Sequence, residues 1–266
     1  MDYLVIALTV IFAAGLTFFS GFGLGTIMLP VFSLFFDLPV AVGATAVVHL
    51  ANNLFKFALV SKFIHLPTLF RFGIPALIMA SVGGYVLTLF EDMAVITSYT
   101  IGEYTFEMTT IHLVIGSLMI FFARFDLDPR FDNLNVKAKH IPFGGALSGF
   151  FGGISGHQGA FRAAFLSKAG LTKEQFIGTS NAVSLVVDLA RLTIYLYIAS
   201  ALSGERNKFL VAFSEGRDLL IVGIVFAFLG TYLGRQLVKK TTITGIQRTV
   251  GVLLFIMGAL MIAGIL

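Results

Sequence analysis

Apolar runs long enough to cross a bilayer recur from one end of this chain to the other, and that recurrence constrains the fold more than any other feature. A helical run of about 20 apolar residues matches the ~30 Å hydrocarbon core of a membrane. Composition agrees: 57% of the 266 residues are hydrophobic and 12% are charged, against about 25% charged in soluble domains. Too little polar side chain exists to cover a globule in water, which argues against a soluble enzyme of this size and against a disordered chain. The apolar elements are Tyr3–Phe19, Leu24–Phe36, Val40–Val60, Leu69–Phe90, Thr109–Ala123, Ile141–Ile154, Ala160–Ala169, Gln175–Leu202, Leu219–Val238 and Ile246–Leu266. Membrane strands would alternate in and out over about 9–11 residues. No such alternation is present, so helices are expected.

Other compositional facts remove whole classes. Without cysteine there is no disulfide, thiolate metal site or cysteine nucleophile. The net charge of +4 is modest and sits in short loops, so it reads as a topology signal and not as a nucleic-acid patch. Tryptophan is absent, which leaves 29 Phe and 7 Tyr to form any interfacial belt. The start Met1-Asp2-Tyr3 lacks a basic region and a small-residue cleavage site, so it is read as the first membrane element and not as a signal peptide.

Two elements are too short to span. Ala160–Ala169 reaches roughly 15 Å as a helix, and Leu24–Phe36 is nearly as short. Each follows a glycine-rich break, Ser20-Gly21-Phe22-Gly23-Leu24-Gly25 and Gly152-Gly153-Ile154-Ser155-Gly156-His157-Gln158-Gly159. Each pair of arms therefore predicts a helical hairpin with its tip at membrane depth, where irregular backbone is tolerated only inside protein or beside a wet cavity.

The chain also repeats itself. A shift of 135 residues lays Val42–Lys56 on Ile177–Arg191. Thr45 then meets Ser180, Asn53 meets Asp188, Lys56 meets Arg191, and Ser20-Gly21 meets Ser155-Gly156. Farther on, Gly83-Gly84-Tyr85 resembles Gly230-Thr231-Tyr232. Basic residues cluster at Lys62 and Arg71, through Arg124–His140, at Lys168 and Lys173, and around Arg235–Arg248, whereas Glu91–Glu107 has four acids and no Lys or Arg. With basic loops inside, the halves run antiparallel and both termini lie outside. Ser203–Arg217 resists this rule, since it holds Arg206, Lys208 and Arg217 on the outer side. The expected fold is an all-α polytopic membrane protein of two inverted repeats, each a hairpin plus three transmembrane helices, with 8–10 membrane helices in all. Its parts are residues 1–123, a cytoplasmic linker 124–140, and residues 141–266. Inverted repeats with broken helices are the architecture of many secondary transporters, which bind substrate near the midplane between repeats.

The doubled pattern of a small-residue tip followed by Val42-Gly43-Ala44-Thr45 or Ile177-Gly178-Thr179-Ser180 resembles the TauE/SafE family of membrane transporters, the sulfite exporter or 4-toluene sulfonate uptake permease family. The likeness covers nearly the whole chain. It implies transport of small anions, commonly sulfite, sulfonates or sulfoacetate, across a plasma membrane. Gly156-His157-Gln158-Gly159 departs from the plainer glycine run usual in that family.

Three groups of residues can carry chemistry. His49, Asn52, Asn53 and Lys56 share one helical face, as do Asn181, Ser184, Asp188 and Arg191. Polar groups in hydrocarbon are costly and usually face a cavity or each other. Two cations related by the repeat suit an anion between the halves. Against this, Lys56 is close enough to Lys62 to snorkel to the interface, and Arg191 can form a structural ion pair with Asp188. The second group is the two tips, Ser20, Gly21, Gly23 and Gly25 with Ser155, Gly156, His157, Gln158 and nearby Arg162. Helix N-termini there offer free N–H groups to an anion, and glycine admits close approach. The plainer alternatives are close helix packing by glycine and an interfacial anchor for Arg162. The third group is titratable: Asp188, His49 and His157 are candidates for proton coupling, or plain hydrogen-bonding residues.

No zinc motif, Walker loop or dinucleotide fingerprint is present, and neither a metal nor a cofactor is expected. The sequence predicts a secondary active transporter of a small anion, embedded in the plasma (cell inner) membrane. The partners are that anion and the lipid bilayer, with no nucleic acid, and a homo-oligomer is compatible with the Phe-rich outer faces. An anion channel using the same basic cavity is the alternative, and an intramembrane enzyme is the more distant one. The direction of transport and the coupling ion stay open.

Overall fold

The computed structural model describes residues 2–17, 24–89, 95–102, 104–128, 130, 138–201, 214, 216–237 and 243–265. Within them the ten apolar elements of the sequence are ten α-helices, with ends shifted by a few residues. They are α1 Asp2–Thr17, α2 Leu24–Phe32, α3 Leu38–Val60, α4 Leu66–Thr88, α5 Thr110–Leu127, α6 Ile141–Ser155, α7 Gly159–Leu166, α8 Lys173–Ala201, α9 Arg217–Leu237 and α10 Ile243–Ile262. Proline stands in the first turn of α3, α4 and α6, where its missing N–H is no loss and its fixed φ suits the helix. α6 ends at Gly156, whose φ of 78° is left-handed and whose N–H bonds to the Gly152 carbonyl. Only glycine adopts that cap without strain.

Four stretches are long and apolar enough to cross a membrane: Val40–Phe63, Leu66–Thr88, Lys173–Tyr197 and Arg217–Gly234. Three more apolar stretches, Tyr3–Gly15, Thr110–Arg124 and Arg248–Ile262, are shorter. α2 and α7 have 9 and 8 residues, about 12–14 Å each at the α-helical rise, so neither spans by itself. Large apolar side chains point outward along whole faces, as Phe70, Ile74, Ile78, Val82 and Tyr85 do on α4. Buried positions instead hold many polar residues. An oily exterior with a polar interior suits lipid as solvent.

Between α4 and α5 the all-α chain carries one small antiparallel hairpin among the described residues, β1 Val95–Ile101 with β2 Tyr104–Thr109. The cause is local. β-Branched and aromatic residues flank Gly102, whose φ of 64° makes the turn. The Tyr99 hydroxyl donates to the Ala263 carbonyl just past α10, which ties the hairpin to that helix.

The helices pack by close approach. Gly145, Gly149 and Gly153 of α6 lie on the Phe72, Ala76 and Ala80 carbonyls of α4, and Gly83 of α4 lies on the Phe150 carbonyl. A Cβ at any of these glycines would sit 2.1–2.3 Å from the facing oxygen. α1 meets α9 through Gly15, Gly230 and Gly234, and α5 meets α10 through Gly116 and Gly258. Small residues four apart let backbones touch, the usual seam between membrane helices. α3 and α8 pack on each other, α4 also on α8, and α9 also on α3.

Candidate functional site

The polar stripes of α3 and α8 face each other. A helix returns to the same face every three or four residues, so His49, Asn53 and Lys56 line one wall and Asn181, Asp188 and Arg191 the other. Asp188 is the hub and is fully buried. His49 Nδ1 donates to Asp188 Oδ2 at 2.6 Å, and Asn53 Nδ2 donates to the same oxygen at 2.9 Å. The other oxygen, Oδ1, accepts from Arg191 Nη2 at 2.9 Å and from Gln158 Nε2 at 3.1 Å. An ionised carboxylate accepts about four hydrogen bonds, and Asp188 has four donors. Asn53 and Asp188, superposed by the 135-residue shift, are thus in direct contact.

The network continues outward. Gln158 Oε1 accepts from Arg162 Nη1 at 2.8 Å, and Arg162 Nε donates to the Ser180 hydroxyl at 2.8 Å. Asn181 Nδ2 donates to Asn53 Oδ1 at 3.2 Å. Lys56 is buried and close enough to Arg162 for the two cations to repel. Lys56 therefore does not snorkel to the surface, and Arg162, 1% exposed, is not an interfacial anchor. The ion pair of Arg191 with Asp188 is present. It engages one guanidinium nitrogen. Nε and Nη1 of Arg191 have no hydrogen-bond partner among the described residues, although the side chain is fully buried.

Those unpartnered nitrogens lie where the hairpins approach. Arg191 Nη1 is 2.7 Å from the position a Cβ would take on Gly156, and the corresponding position on Gly25 is 3.7 Å from the Gly156 carbonyl oxygen. Gly25 also borders His49 and Thr45. The N-terminal end of α2 and the bend before α7 therefore adjoin one spot, beside the Asp188 hub. His157 Nδ1 contacts the Ser155 hydroxyl at 2.8 Å, and its ring stacks on Phe122. Its Nε2 has no partner among the described residues, and the same holds for Thr45 Oγ1, Asn52 Nδ2 and Asn181 Oδ1. Buried polar atoms are normally satisfied, and an unsatisfied one calls for an explanation.

Three residues named from sequence, Ser20, Gly21 and Gly23, lie outside the described residues. Asn52 points away from the hub, and its Oδ1 accepts from Thr231 of α9 at 2.7 Å. Ser184 is buried on α8. Sequence reading missed Ser180 and Thr45 as site-facing groups. Both sit inside segments that the internal repeat had already matched, so polarity at repeated positions was the available signal. Ser148, which donates to the Gln158 carbonyl at 2.7 Å, carried no such signal.

Residues 6–261 match the family model described as Sulfite exporter TauE/SafE. The chain belongs to the TauE/SafE family. No curated protein and no solved structure matches it significantly. Family membership and the apolar helices make this TauE/SafE chain a multi-pass membrane protein, and the family is one of transporters of sulfur-containing anions.

Proposed function

We propose that the chain is a secondary active transporter that moves a small sulfur-containing anion, such as sulfite, a sulfonate, sulfoacetate or thiosulfate, by alternating access around the α3–α8 network. The observation that carries this reading is Arg191, a fully buried guanidinium beside Gly156, where α2 also arrives, with two nitrogens that have no partner among the described residues. A buried cation with free donors suits an oxyanion, and Asp188 holds it in place between transport events. Residues 1–123 and 141–266 act as the two halves, joined by 124–140. Packing supports a twofold relation between them, which the loop charges make an inverted one in this reading. α1 pairs with α9 as α6 pairs with α4, and α3 pairs with α9 as α8 pairs with α4. Those are the exchanges a pseudo-twofold produces. Rocking of the halves then exposes the site to each side in turn.

Asp188, His49 and His157 are the groups able to take up a proton with the anion. The protein works in the plasma membrane with both termini outside. Counterflow with purified protein in liposomes tests the reading. Labelled sulfite or thiosulfate is expected to accumulate in vesicles preloaded with the unlabelled ion, and Arg191→Ala is expected to abolish it. If none of these anions is carried, or Arg191→Ala behaves as wild type, the reading fails. Large conductance without accumulation against a gradient would instead assign an anion channel.

A further inference from the structure

We infer that Thr45 is a further substrate-binding residue: its hydroxyl holds the anion from the α3 wall while Arg191 holds it from α8, so the cargo bridges the two halves. This rests on the reading that the α3–α8 network is the transport site, and it deepens that reading by adding a neutral contact from the other repeat.

Thr45 lies one turn before His49 on the same face of α3. It is 1% exposed, and its Oγ1 has no hydrogen-bond partner among the described residues. A hydroxyl inside a helix normally has an acceptor at hand in the carbonyl four residues back. Thr17, Ser81, Ser155 and Thr193 all use it, at 2.6, 3.2, 3.1 and 2.7 Å. Thr45 makes no such bond to Ala41. A buried hydroxyl left unsatisfied is costly and calls for an explanation. The internal repeat sharpens the point. Ser180, which superposes on Thr45, accepts from Arg162 Nε at 2.8 Å. Of two equivalent hydroxyls, one therefore secures the network and the other does not. Thr45 also borders the place where the two tips approach. The point that a Cβ would take on Gly25 lies 3.6 Å from Thr45 Cγ2, 3.6 Å from His49 Cδ2 and 3.7 Å from the Gly156 carbonyl oxygen, and Gly156 lies against Arg191 Nη1. Glycine at both positions keeps side chains out of that space. An oxyanion there takes charge-assisted hydrogen bonds from Arg191 Nε and Nη1 and one more from the Thr45 hydroxyl. All three donors then gain a partner at once.

The experiment is counterflow of labelled sulfite and thiosulfate in liposomes, with the melting temperature of each purified variant in detergent as a second readout. Thr45→Val keeps the shape of the side chain and removes the hydroxyl. Its KM is expected to rise about tenfold, the size of one hydrogen bond to a charged partner. Its melting temperature is expected not to fall, because no group in the resting protein loses a bond. Thr45→Ser retains the hydroxyl and is expected to keep KM within about twofold of wild type, a difference of well under one such hydrogen bond. An unchanged KM in Thr45→Val, or a KM raised equally in Thr45→Ser, would overturn the inference while leaving transport intact. A Thr45→Val protein that melts lower or cannot be obtained folded would overturn it too, since the hydroxyl would then hold the helices and not the anion. Absence of sulfite and thiosulfate uptake by wild type would remove the transport reading itself, and this inference with it.

Discussion

Two helix contacts in this molecule are built from opposite materials. α4 and α6 meet backbone to backbone, with Gly145, Gly149 and Gly153 each on an opposing carbonyl. α3 and α8 meet through carboxylate, imidazole and amide groups joined by hydrogen bonds. Neither contact draws on a hydrophobic driving force, because lipid tails are as apolar as leucine. The glycine seam holds by dispersion and exact fit, and leaves no polar side chain to meet a solute. The polar seam holds by charge pairing, and it retains donors without a partner among the described residues. The lesson is that a membrane protein can place rigidity and chemistry in separate interfaces.

Substitutions can break that division of labour. Asp188→Asn has the largest expected effect. It leaves the buried Arg191 without its carboxylate, a loss of about 3–5 kcal/mol, read as a lower melting temperature in detergent together with lost counterflow. A melting temperature equal to wild type would show that the network is not held by its carboxylate. Gly149→Ala comes next. Its new Cβ would stand 2.1 Å from the Ala76 carbonyl oxygen, and forcing the helices apart costs about 1–3 kcal/mol. Protein that survives should keep the wild-type order of substrate preference, since Gly149 faces the Ala76 backbone and not the Arg191 donors. A changed preference would argue that the seam shapes the site.

Thr231→Val is milder. It removes the donor to Asn52 Oδ1 at about 1 kcal/mol, and chemical denaturation of the purified protein would resolve it. Gly25→Ala sharpens the comparison most, although its effect on stability is the smallest. The added methyl meets its neighbours at 3.6–3.7 Å, ordinary contact, so the melting temperature should hold. Uptake should nonetheless fall, because the methyl intrudes beside His49 and Gly156. Unimpaired uptake would place the anion's path elsewhere.

The ten helices were legible because bilayer length and apolarity suffice to call for helices. The β1–β2 hairpin was not read from the sequence, although β-branched and aromatic residues flank Gly102. In the site, His49, Asn53, Lys56, Asp188 and Arg191 stood out because charge inside an apolar run is conspicuous. Thr231 and Ser148 did not, since hydroxyls are common in membrane helices and bond readily to nearby carbonyls.

By itself the sequence determined which segments enter the membrane and which side chains must avoid lipid, because both follow from local transfer free energies summed along one helix. It also held the internal repeat that pairs Asn53 with Asp188. Tertiary packing decided the rest. Whether Lys56 reaches water or stays buried, whether Arg191 spends all its donors on Asp188, and whether Gly25 meets Gly156 depend on how separate helices cross. Crossing is set by long-range contacts between glycines and carbonyls far apart in the chain, and no window of residues contains that information.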